Sequence, residues 1–431
     1  MRGARLLVKD ALLEAFLLSR PTVTVIGAGI VGLAAAHHLH KAGAQVTIVD
    51  RDPDGDKASL GNAGAIAVTE VVPAACAGLW WRIPGWMLDS LGPLSVRPLH
   101  APKLIPWLTR FARSGTPQET ERISRALSAL NARVYEDLIP LLKDIGLSGE
   151  LRSHGALSVY ESEEGYARDS AEWECKRSRG VMVQEISGEE ARRLEPSLGR
   201  IVCRAVLMPQ WSHMNDPKRL VHGIRESLLR NGISLRQGDV TRIEPGPDCV
   251  SLIFDGGHRI STEHAVVAAG AWSGVLARRL GEKALLESER GYNATLPNSG
   301  VVVHRQLIFA ERKFVATPMS CGLRIGGAAE FGGLNARANF RRSRALVELA
   351  RRYLPDLETE GGTYWAGHRP ATPDSLPVIG ASPRHPRVFY AFGHGHLGLT
   401  QAATTGRLIA DLIMRKLPPI DLSPYDIGRF N

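Results

Sequence analysis

The sequence is poor in cysteine, in aromatic residues and in long apolar runs. Five cysteines are spread over 431 residues, an odd number with no CxxC pair, so a disulfide scaffold and a structural zinc site are both disfavoured. No run reaches the roughly 18 consecutive apolar residues of a membrane-spanning helix. The 53 basic and 44 acidic residues are intermixed and give a formal charge of +9, without the charge blocks of a nucleic-acid-binding arm. The odd number and wide spacing of the cysteines fit a reducing compartment.

What is present is the composition of a large globular protein. Hydrophobic residues make up 44% of the chain and charged residues 23%, which is enough apolar material to bury a sizeable core. The length corresponds to about two or three domains, although α/β enzymes often interleave their domains along the chain.

Residues 1–20 form a predicted N-terminal extension. The segment is rich in leucine but is interrupted by Lys9, Asp10 and Glu14, and no small-residue cleavage site follows, so a secretory signal is disfavoured. The pattern predicts an amphipathic helix that could be a surface helix, a membrane-interface anchor or an extension that never orders. We therefore expect a cytoplasmic protein, with peripheral contact at the inner face of the membrane as the alternative.

The strongest motif follows, in the order strand, glycine-rich turn, helix, strand and acidic residue. A β-branched run over residues 22–26 leads into GAGIVG at residues 27–32, and a helical pattern continues to about Ala42. A second β-branched run, residues 45–49, ends at Asp50. This order is typical of dinucleotide-binding units, in which glycines admit a pyrophosphate to a helix N-terminus. The carboxylate of Asp50 suits an adenosine ribose and would repel a 2′-phosphate, which argues against NADP.

Three glycines of this motif have separate predicted roles. Gly27 allows the tight turn, Gly29 lets the backbone approach the pyrophosphate, and Gly32 lets the helix pack close to the strand.

The regular alternation of strands and helices that builds a doubly wound parallel sheet does not continue after Asp50. A small-residue loop at 59–64 is followed by a proline- and tryptophan-rich stretch, and strand patterns return at residues 233–235, 240–243, 250–254, 265–270 and 388–392. The last strand enters a second glycine-rich turn, residues 393–398, before a predicted helix over 399–415. The N-terminus of that helix suits the electron-rich pyrimidine edge of a reduced flavin.

These segments together resemble the family of FAD-dependent D-amino-acid oxidases and dehydrogenases, which also contains glycine and sarcosine oxidases. The matching segments follow family order and cover nearly the whole chain beyond the extension: 25–32 with Asp50, 59–64, 215–217, 265–273, 324–331, 365–374, 378–380 and 393–400. The SxxNAG loop and the HGHLGLT turn are most similar to the bacterial D-amino-acid dehydrogenase branch, including relatives that act on D-proline or hydroxyproline. The resemblance implies a flavoprotein of amino-acid catabolism.

The resemblance also implies three catalytic residues. The arginine of the family's GxRP motif binds the substrate carboxylate, and here it is Arg369; a guanidinium offers two parallel donors that match a carboxylate. Tyr292 matches a position where some relatives present a hydroxyl to the substrate. His394 lies in the turn expected to face the flavin.

The predicted cofactor is non-covalent FAD, because the C-terminal turn lacks the cysteine to which sarcosine-oxidase-type relatives attach their flavin. No metal is expected. The residues predicted to bind FAD are Gly27, Ala28, Gly29, Ile30, Val31, Gly32, Asp50, Arg51, Ser59, Asn62, Ala63, Gly64, Val240, Ala269, Gly270, Gly367, Arg369, Gly395, His396, Leu397, Gly398, Leu399 and Thr400.

The expected fold is α/β, with a Rossmann-like FAD-binding domain interleaved with a smaller substrate domain built on a mixed or antiparallel sheet with helices. Residues 21–80, 196–280 and 365–431 are assigned to the FAD-binding domain, and residues 81–195 and 281–364 to the substrate-binding domain. The substrate domain should contain a helical pattern at 120–145, strands near 301–303 and 313–316, and a solvated arginine-rich helix at 341–352.

The implied reaction is the oxidative deamination or dehydrogenation of a D-amino acid, with D-proline or hydroxyproline among the candidates. A hydride passes from the substrate Cα to flavin N5, and the imino acid that forms is hydrolysed to a 2-oxo acid. Electrons then pass to a quinone or to oxygen. Two alternatives stay open, a glycine- or sarcosine-type amine oxidase and an FAD-binding subunit of a multi-subunit electron-transfer dehydrogenase.

Overall fold

The computed structural model describes residues 20–75 and 92–431. The strands of the described part are β1 (Thr22–Ile26), β2 (Gln45–Asp50), β3 (Ala65–Ile66), β4 (Leu94–Val96), β5 (Leu151–Arg152), β6 (Ala156–Tyr160), β7 (Gln184–Ser187), β8 (Arg204–Met208), β9 (Ser212–Met214), β10 (Ser234–Gln237), β11 (Val240–Pro245), β12 (Val250–Phe254), β13 (Arg259–Thr262), β14 (His264–Val267), β15 (Glu287–Leu296), β16 (Gln306–Phe309), β17 (Phe314–Met319), β18 (Gly322–Phe331), β19 (Thr363–Ala371), β20 (Val378–Ala381) and β21 (Val388–Phe392).

The α-helices of the same residues are α1 (Ile30–Lys41), α2 (Ala101–Ser114), α3 (Pro117–Asn131), α4 (Val134–Asp144), α5 (Glu163–Arg168), α6 (Ser170–Ser178), α7 (Gly188–Leu194), α8 (Pro217–Arg230), α9 (Ser273–Arg279), α10 (Arg341–Arg351) and α11 (Gly398–Ile413). Short 3₁₀ turns precede α9 and α11, at Gly270–Trp272 and Gly395–Leu397.

A six-stranded sheet carries the glycine-rich motif. Its order is β10-β2-β1-β14-β21-β20, and all neighbours are parallel except β20 and β21. Central strands such as β1 and β14 are almost entirely buried, as expected for a parallel sheet covered on both faces. The carboxyl ends of β1 and β14 lie side by side, so the turns that follow them meet at one edge of the sheet.

Helices α1 and α11 pack closely together against this sheet. A side chain at Gly406 on α11 would overlap the backbone of Ala34 on α1, so only glycine permits the observed approach. Because the two helices begin at the two glycine-rich turns, their contact brings turns more than 350 residues apart in sequence into one region.

A nine-stranded sheet forms the second large layer. Its order is β19-β15-β18-β17-β16-β6-β8-β7, with β4 also paired to β18. It has its own apolar core, in which the ring centroids of Phe309 and Phe314 are 4.2 Å apart and those of Phe309 and Tyr353 are 4.5 Å apart. This mixed sheet beside a parallel sheet confirms the expected α/β fold class.

Most predicted elements have nearly the expected bounds. The strands predicted at 22–26, 250–254 and 388–392 have the bounds of β1, β12 and β21. The helical pattern at 120–145 is two helices, α3 and α4. Strands β8 and β19 lie largely within segments assigned to the FAD-binding domain but pair in the nine-stranded sheet; the assignment of segments to domains stays a prediction.

One expectation about the substrate region was wrong, and a second held only in part. Residues 301–303 are irregular rather than a strand, because the Val302 carbonyl accepts from the Ser197 hydroxyl at 2.8 Å and the His304 amide donates to Glu195. Helix α10 has the expected basic face, on which Arg341, Arg344 and Arg351 are exposed, but its other side is buried. Its Arg342 is 1% exposed and donates to the Gly92 carbonyl, because this side of the helix packs on β15 and β18.

Within residues 20–75 and 92–431, no helix is both long enough and apolar enough to cross a membrane.

Candidate active site

A cavity of about 1570 Å³ is lined by residues from both large sheets. Typical small-molecule pockets measure about 300–1,000 Å³, so this one has room for a dinucleotide together with a small substrate. Its lining includes the turn after β1, the turn after β14, the start of α11 and the facing ends of β15 and β19.

The turn after β1 has the shape that a pyrophosphate requires. Gly27 has φ +113°, and a Cβ there would overlap the Ala268 carbonyl, whereas a Cβ at Gly32 would overlap the Gly27 carbonyl. A Cβ at Gly29 would meet only the Ser59 hydroxyl, at 3.6 Å, so the backbone there is open to the cavity. The cradle therefore admits a ligand at Gly29 and uses the other two glycines for packing.

Two polar side chains hold this turn against α1. The Ser59 hydroxyl accepts from the Ile30 amide at 3.0 Å, and one Asp50 oxygen accepts from the Ala28 amide at 2.6 Å. The other Asp50 oxygen accepts from the Asp52 amide and lies 3.3 Å from Lys57 Nζ. A carboxylate has about four acceptor sites, so Asp50 can fix the turn and still accept a ribose hydroxyl.

A flat aromatic surface adjoins Asp50. The Arg51 guanidinium lies 3.6 Å from the ring centroid of Trp272, and both side chains line the cavity. Such a stack presents planar groups to a ligand and is stabilised by cation–π attraction. The sequence analysis predicted Arg51 as a ligand residue but missed Trp272.

The second glycine-rich turn places the N-terminus of α11 at the same cavity. Gly395, His396, Gly398 and Leu399 line it, and α11 begins at Gly398. The first amides of an α-helix lack intrahelical acceptors and carry partial positive charge. One cavity with two helix N-termini suits a long cofactor that has a pyrophosphate at one end and an electron-rich flavin edge at the other, so the residues present fit FAD.

The predicted FAD residues divide into two groups. Those that line the cavity are Gly27, Gly29, Ile30, Val31, Asp50, Arg51, Ser59, Asn62, Ala63, Val240, Ala269, Gly270, Gly367, Arg369, Gly395, His396, Gly398 and Leu399. Five others, Ala28, Gly32, Gly64, Leu397 and Thr400, are outside that lining. Thr400, for example, accepts from the Ala67 amide and donates to the Ala65 carbonyl, which ties α11 to β3. Thr400 therefore helps to hold the start of α11 in the cavity wall.

Arg369 lines the cavity on β19, directly opposite Glu289 on β15. Its Nη1 donates to Glu289 at 2.7 Å and to the Ala328 carbonyl at 3.2 Å. The guanidinium lies over Gly291, where any side chain would overlap it. Arg369 is therefore held at one nitrogen, and the rest of its fork borders the cavity.

Tyr292 lines the cavity but its hydroxyl is already engaged. The hydroxyl donates to Glu330 at 2.9 Å and accepts from the Asn339 amide at 3.0 Å. Glu330 also accepts from Arg97 at 2.8 Å and lies 3.7 Å from Arg290. Burial, followed by Glu330, raises the pKa of Tyr292. Its described hydrogen bonds place Tyr292 in this buried network, and no described bond joins its hydroxyl to the Arg369 guanidinium.

His394 lies between the cavity and the interior. It is 3% exposed, and its Nε2 is 2.9 Å from the Thr405 hydroxyl on α11. Burial lowers the pKa of His394 to about 3, so the ring is neutral in the folded protein at neutral pH. A neutral ring here supports the second glycine-rich turn without adding a charge beside the N-terminus of α11.

Sequence reasoning missed Glu289 and His368 as cavity residues. The alternation of a strand puts Glu289 on the same face as Gly291, and antiparallel pairing then puts it beside Arg369. His368 also lines the cavity, and burial, then Arg290 and Arg51, lowers its pKa to about 4. The pairing of β15 with β19, which sequence alone did not supply, was the missing information.

Comparisons with known proteins agree with this geometry. The model of the FAD dependent oxidoreductase family matches residues 22–412. A D-amino-acid oxidase from Bradyrhizobium diazoefficiens is 33% identical over 416 residues, which cover 95% of this chain and 98% of that protein.

Two solved structures share the fold. Glycine oxidase from Geobacillus kaustophilus has a TM-score of 0.73 at 23% identity, covering 95% of this chain and 99% of that one. L-proline dehydrogenase from P. horikoshii has a TM-score of 0.73 at 20% identity, covering 96% and 98%. Because the family match and the 33% identical relative both span nearly the whole chain, this protein belongs to the FAD-dependent oxidoreductase family of the D-amino-acid oxidases, and FAD is its cofactor.

Proposed function

We propose that this enzyme oxidises a D-amino acid, with Arg369 binding the substrate carboxylate. The observation that carries the proposal is a guanidinium on the cavity wall, held through one nitrogen, on a strand whose last residue, Ala371, pairs with His394 of the second glycine-rich turn. Arginine forks bind carboxylates through paired, charge-assisted hydrogen bonds.

The protein's contribution to the reaction is positioning. Bound FAD supplies the hydride acceptor, flavin N5, for the substrate Cα–H. Arg369 anchors the carboxylate, and the absence of a side chain at Gly291 leaves the space that the guanidinium occupies. Within this proposal His394 supports the flavin-facing turn through Thr405, and Tyr292 supports β15 through Glu330. FAD is bound without a covalent link.

The D-amino-acid assignment is supported by the Bradyrhizobium relative. The glycine oxidase and the L-proline dehydrogenase share the fold at lower identity. They support a second candidate, oxidation of glycine, sarcosine or L-proline by the same cavity. D-proline and hydroxyproline lie within the first candidate, and the electron acceptor is a quinone or oxygen.

The test is an anaerobic spectrum of the FAD-loaded enzyme before and after adding D- and L-amino acids, hydroxyprolines, glycine or sarcosine. Bleaching of the oxidised-flavin bands by D-amino acids is the expected result. Bleaching by glycine, sarcosine or L-proline, but not by D-amino acids, would establish the second candidate. If none of these compounds bleaches the flavin, both are wrong and the FAD-binding electron-transfer subunit is favoured. Admitting oxygen or a soluble quinone to the reduced enzyme then identifies the acceptor, and release of yellow flavin on acid precipitation tests the non-covalent link.

The role of Arg369 is tested with Arg369→Leu. Loss of hydrogen bonds to a charged group should weaken substrate binding by about 10- to 100-fold, measured as the substrate concentration that half-reduces the flavin. Arg312→Leu is the matched control, because Arg312 pairs with Glu161 at 2.7 Å but does not line the cavity. Unchanged affinity in Arg369→Leu would show that another group binds the carboxylate.

A further inference from the structure

The cavity wall holds a carboxylate whose purpose the proposed function does not explain. Glu289 lies directly opposite Arg369 in the β15–β19 ladder, and both side chains project toward the cavity. Their ion pair, Nη1 to Oε1, is 2.7 Å long, and the two side chains are 28% and 23% exposed. The arginine proposed to bind the substrate carboxylate is thus already paired with a second carboxylate, that of Glu289.

This pair differs from two ion pairs of the same protein whose carboxylates are fully buried. Glu195, which pairs with Arg305, is fully buried and also accepts from the His304 amide. Asp374 is likewise fully buried and accepts from two nitrogens of Arg429. The described hydrogen bonds of Glu289, by contrast, come from Arg369 Nη1 alone.

Glu289 therefore keeps unused acceptor capacity beside the cavity. A carboxylate can accept about four hydrogen bonds, and the described structure gives Glu289 one, from Arg369. The chain brings no other donor to it among the described residues, and the neighbouring position on the same face, Gly291, has no side chain that could cover it. The remaining acceptor sites are available to a cation that enters the cavity.

The charges of the pair match those of a zwitterion. An amino acid carries its carboxylate and its ammonium on one carbon, so the two charges are as close together as those of Arg369 and Glu289. A plain carboxylate would bind Arg369 but would meet Glu289 as a like charge. An amino acid satisfies both groups at once.

We propose that Glu289 recognises the substrate ammonium and makes the cavity selective for amino acids over carboxylic acids that lack the amine. The proposal rests on the proposed function, because it needs Arg369 to bind the carboxylate. It adds a selectivity that Arg369 alone does not provide: Glu289 attracts the ammonium and repels anions that lack one.

The experiment compares two ligands that differ only in the amine. D-proline is paired with cyclopentanecarboxylate, or D-alanine with propanoate, according to which amino acid reduces the flavin. Dissociation constants are measured on the FAD-loaded enzyme, by rapid anaerobic flavin reduction for the amino acid and by perturbation of the oxidised-flavin spectrum for the carboxylate. The quantity of interest is the ratio of the carboxylate constant to the amino-acid constant.

Glu289→Gln should lower this ratio by about tenfold or more, because one charge-assisted bond is lost and one repulsion is removed. Glu289→Asp keeps the charge and should retain part of the discrimination, which also guards against a folding defect in the first variant. Glu287→Gln is the matched control. Glu287 is on the same strand, pairs with His100 at 3.0 Å and does not line the cavity, so the ratio should not change.

An unchanged ratio in Glu289→Gln, with flavin still bound, would overturn the inference. If Arg369→Leu nevertheless weakens both ligands, the carboxylate-binding role of Arg369 stands and only the role of Glu289 is wrong. If Arg369→Leu leaves both constants unchanged, the failure lies in the proposed function itself.

Discussion

Buried His394 should make the stability of this enzyme depend on pH in a calculable way. Burial lowers the pKa of His394 to about 3, against 6.5 for a free histidine. The unfolded chain therefore binds a proton between these two values and the folded chain does not. The stabilisation from neutral His394 is fully present above about pH 6.5 and is lost progressively as the pH falls toward about 3.

The loss in the free energy of unfolding at moderately acidic pH depends mainly on the pKa of the histidine in the unfolded chain. At about pH 5 the folded ring is still neutral, whereas the free ring is largely protonated, so the free energy of unfolding should fall by about 2 kcal/mol relative to pH 7.

The assay is urea unfolding at about pH 7 and about pH 5 with constant excess FAD, followed by tryptophan fluorescence. His394→Gln keeps a polar group that can reach the Thr405 hydroxyl but cannot be protonated. On going from about pH 7 to about pH 5, the free energy of unfolding of the variant should fall by about 2 kcal/mol less than that of the parent. Other buried histidines, such as His213 and His368, also have lowered pKa values, but they are common to both proteins and cancel in the comparison.

His222→Gln is the control, because it removes an exposed histidine of α8 that does not line the cavity. The parent and this control should have the same pH dependence. If His394→Gln loses as much stability as the parent on acidification, the buried ring is not the source of the effect and the reasoning from burial is refuted.

Three further substitutions test other parts of the structure. Tyr292→Phe removes the donor to buried Glu330 and should lower the free energy of unfolding by about 1–3 kcal/mol; a large increase in the substrate dissociation constant without that loss would instead support the predicted contact between this hydroxyl and the substrate. Gly32→Ala forces a Cβ onto the Gly27 carbonyl, so the FAD dissociation constant measured by flavin fluorescence should rise at least tenfold. Asp50→Asn weakens the acceptor of the turn and should raise the same constant by about 5- to 30-fold.

The cofactor half of the site was predictable because its signals are local. Strand, glycine-rich turn, helix and acid follow one another within about thirty residues, and the backbone requirements of Gly27 and Gly32 arise within that unit and from the strand beside it. The second turn at residues 393–398 has an equally local pattern. These motifs also carried the family resemblance, which the comparisons confirmed.

The substrate half was decided by the tertiary structure. Glu289 and Arg369 are 80 residues apart and face each other only through the register of β15 with β19. The hydroxyl of Tyr292 meets Glu330 because β18 pairs with β15 beside a register shift. A one-residue change in either register would turn these side chains to the opposite face. Sequence therefore predicted the two glycine-rich turns of the candidate cofactor site and the arginine proposed to bind the substrate, whereas long-range strand pairing decided which charges stand beside that arginine.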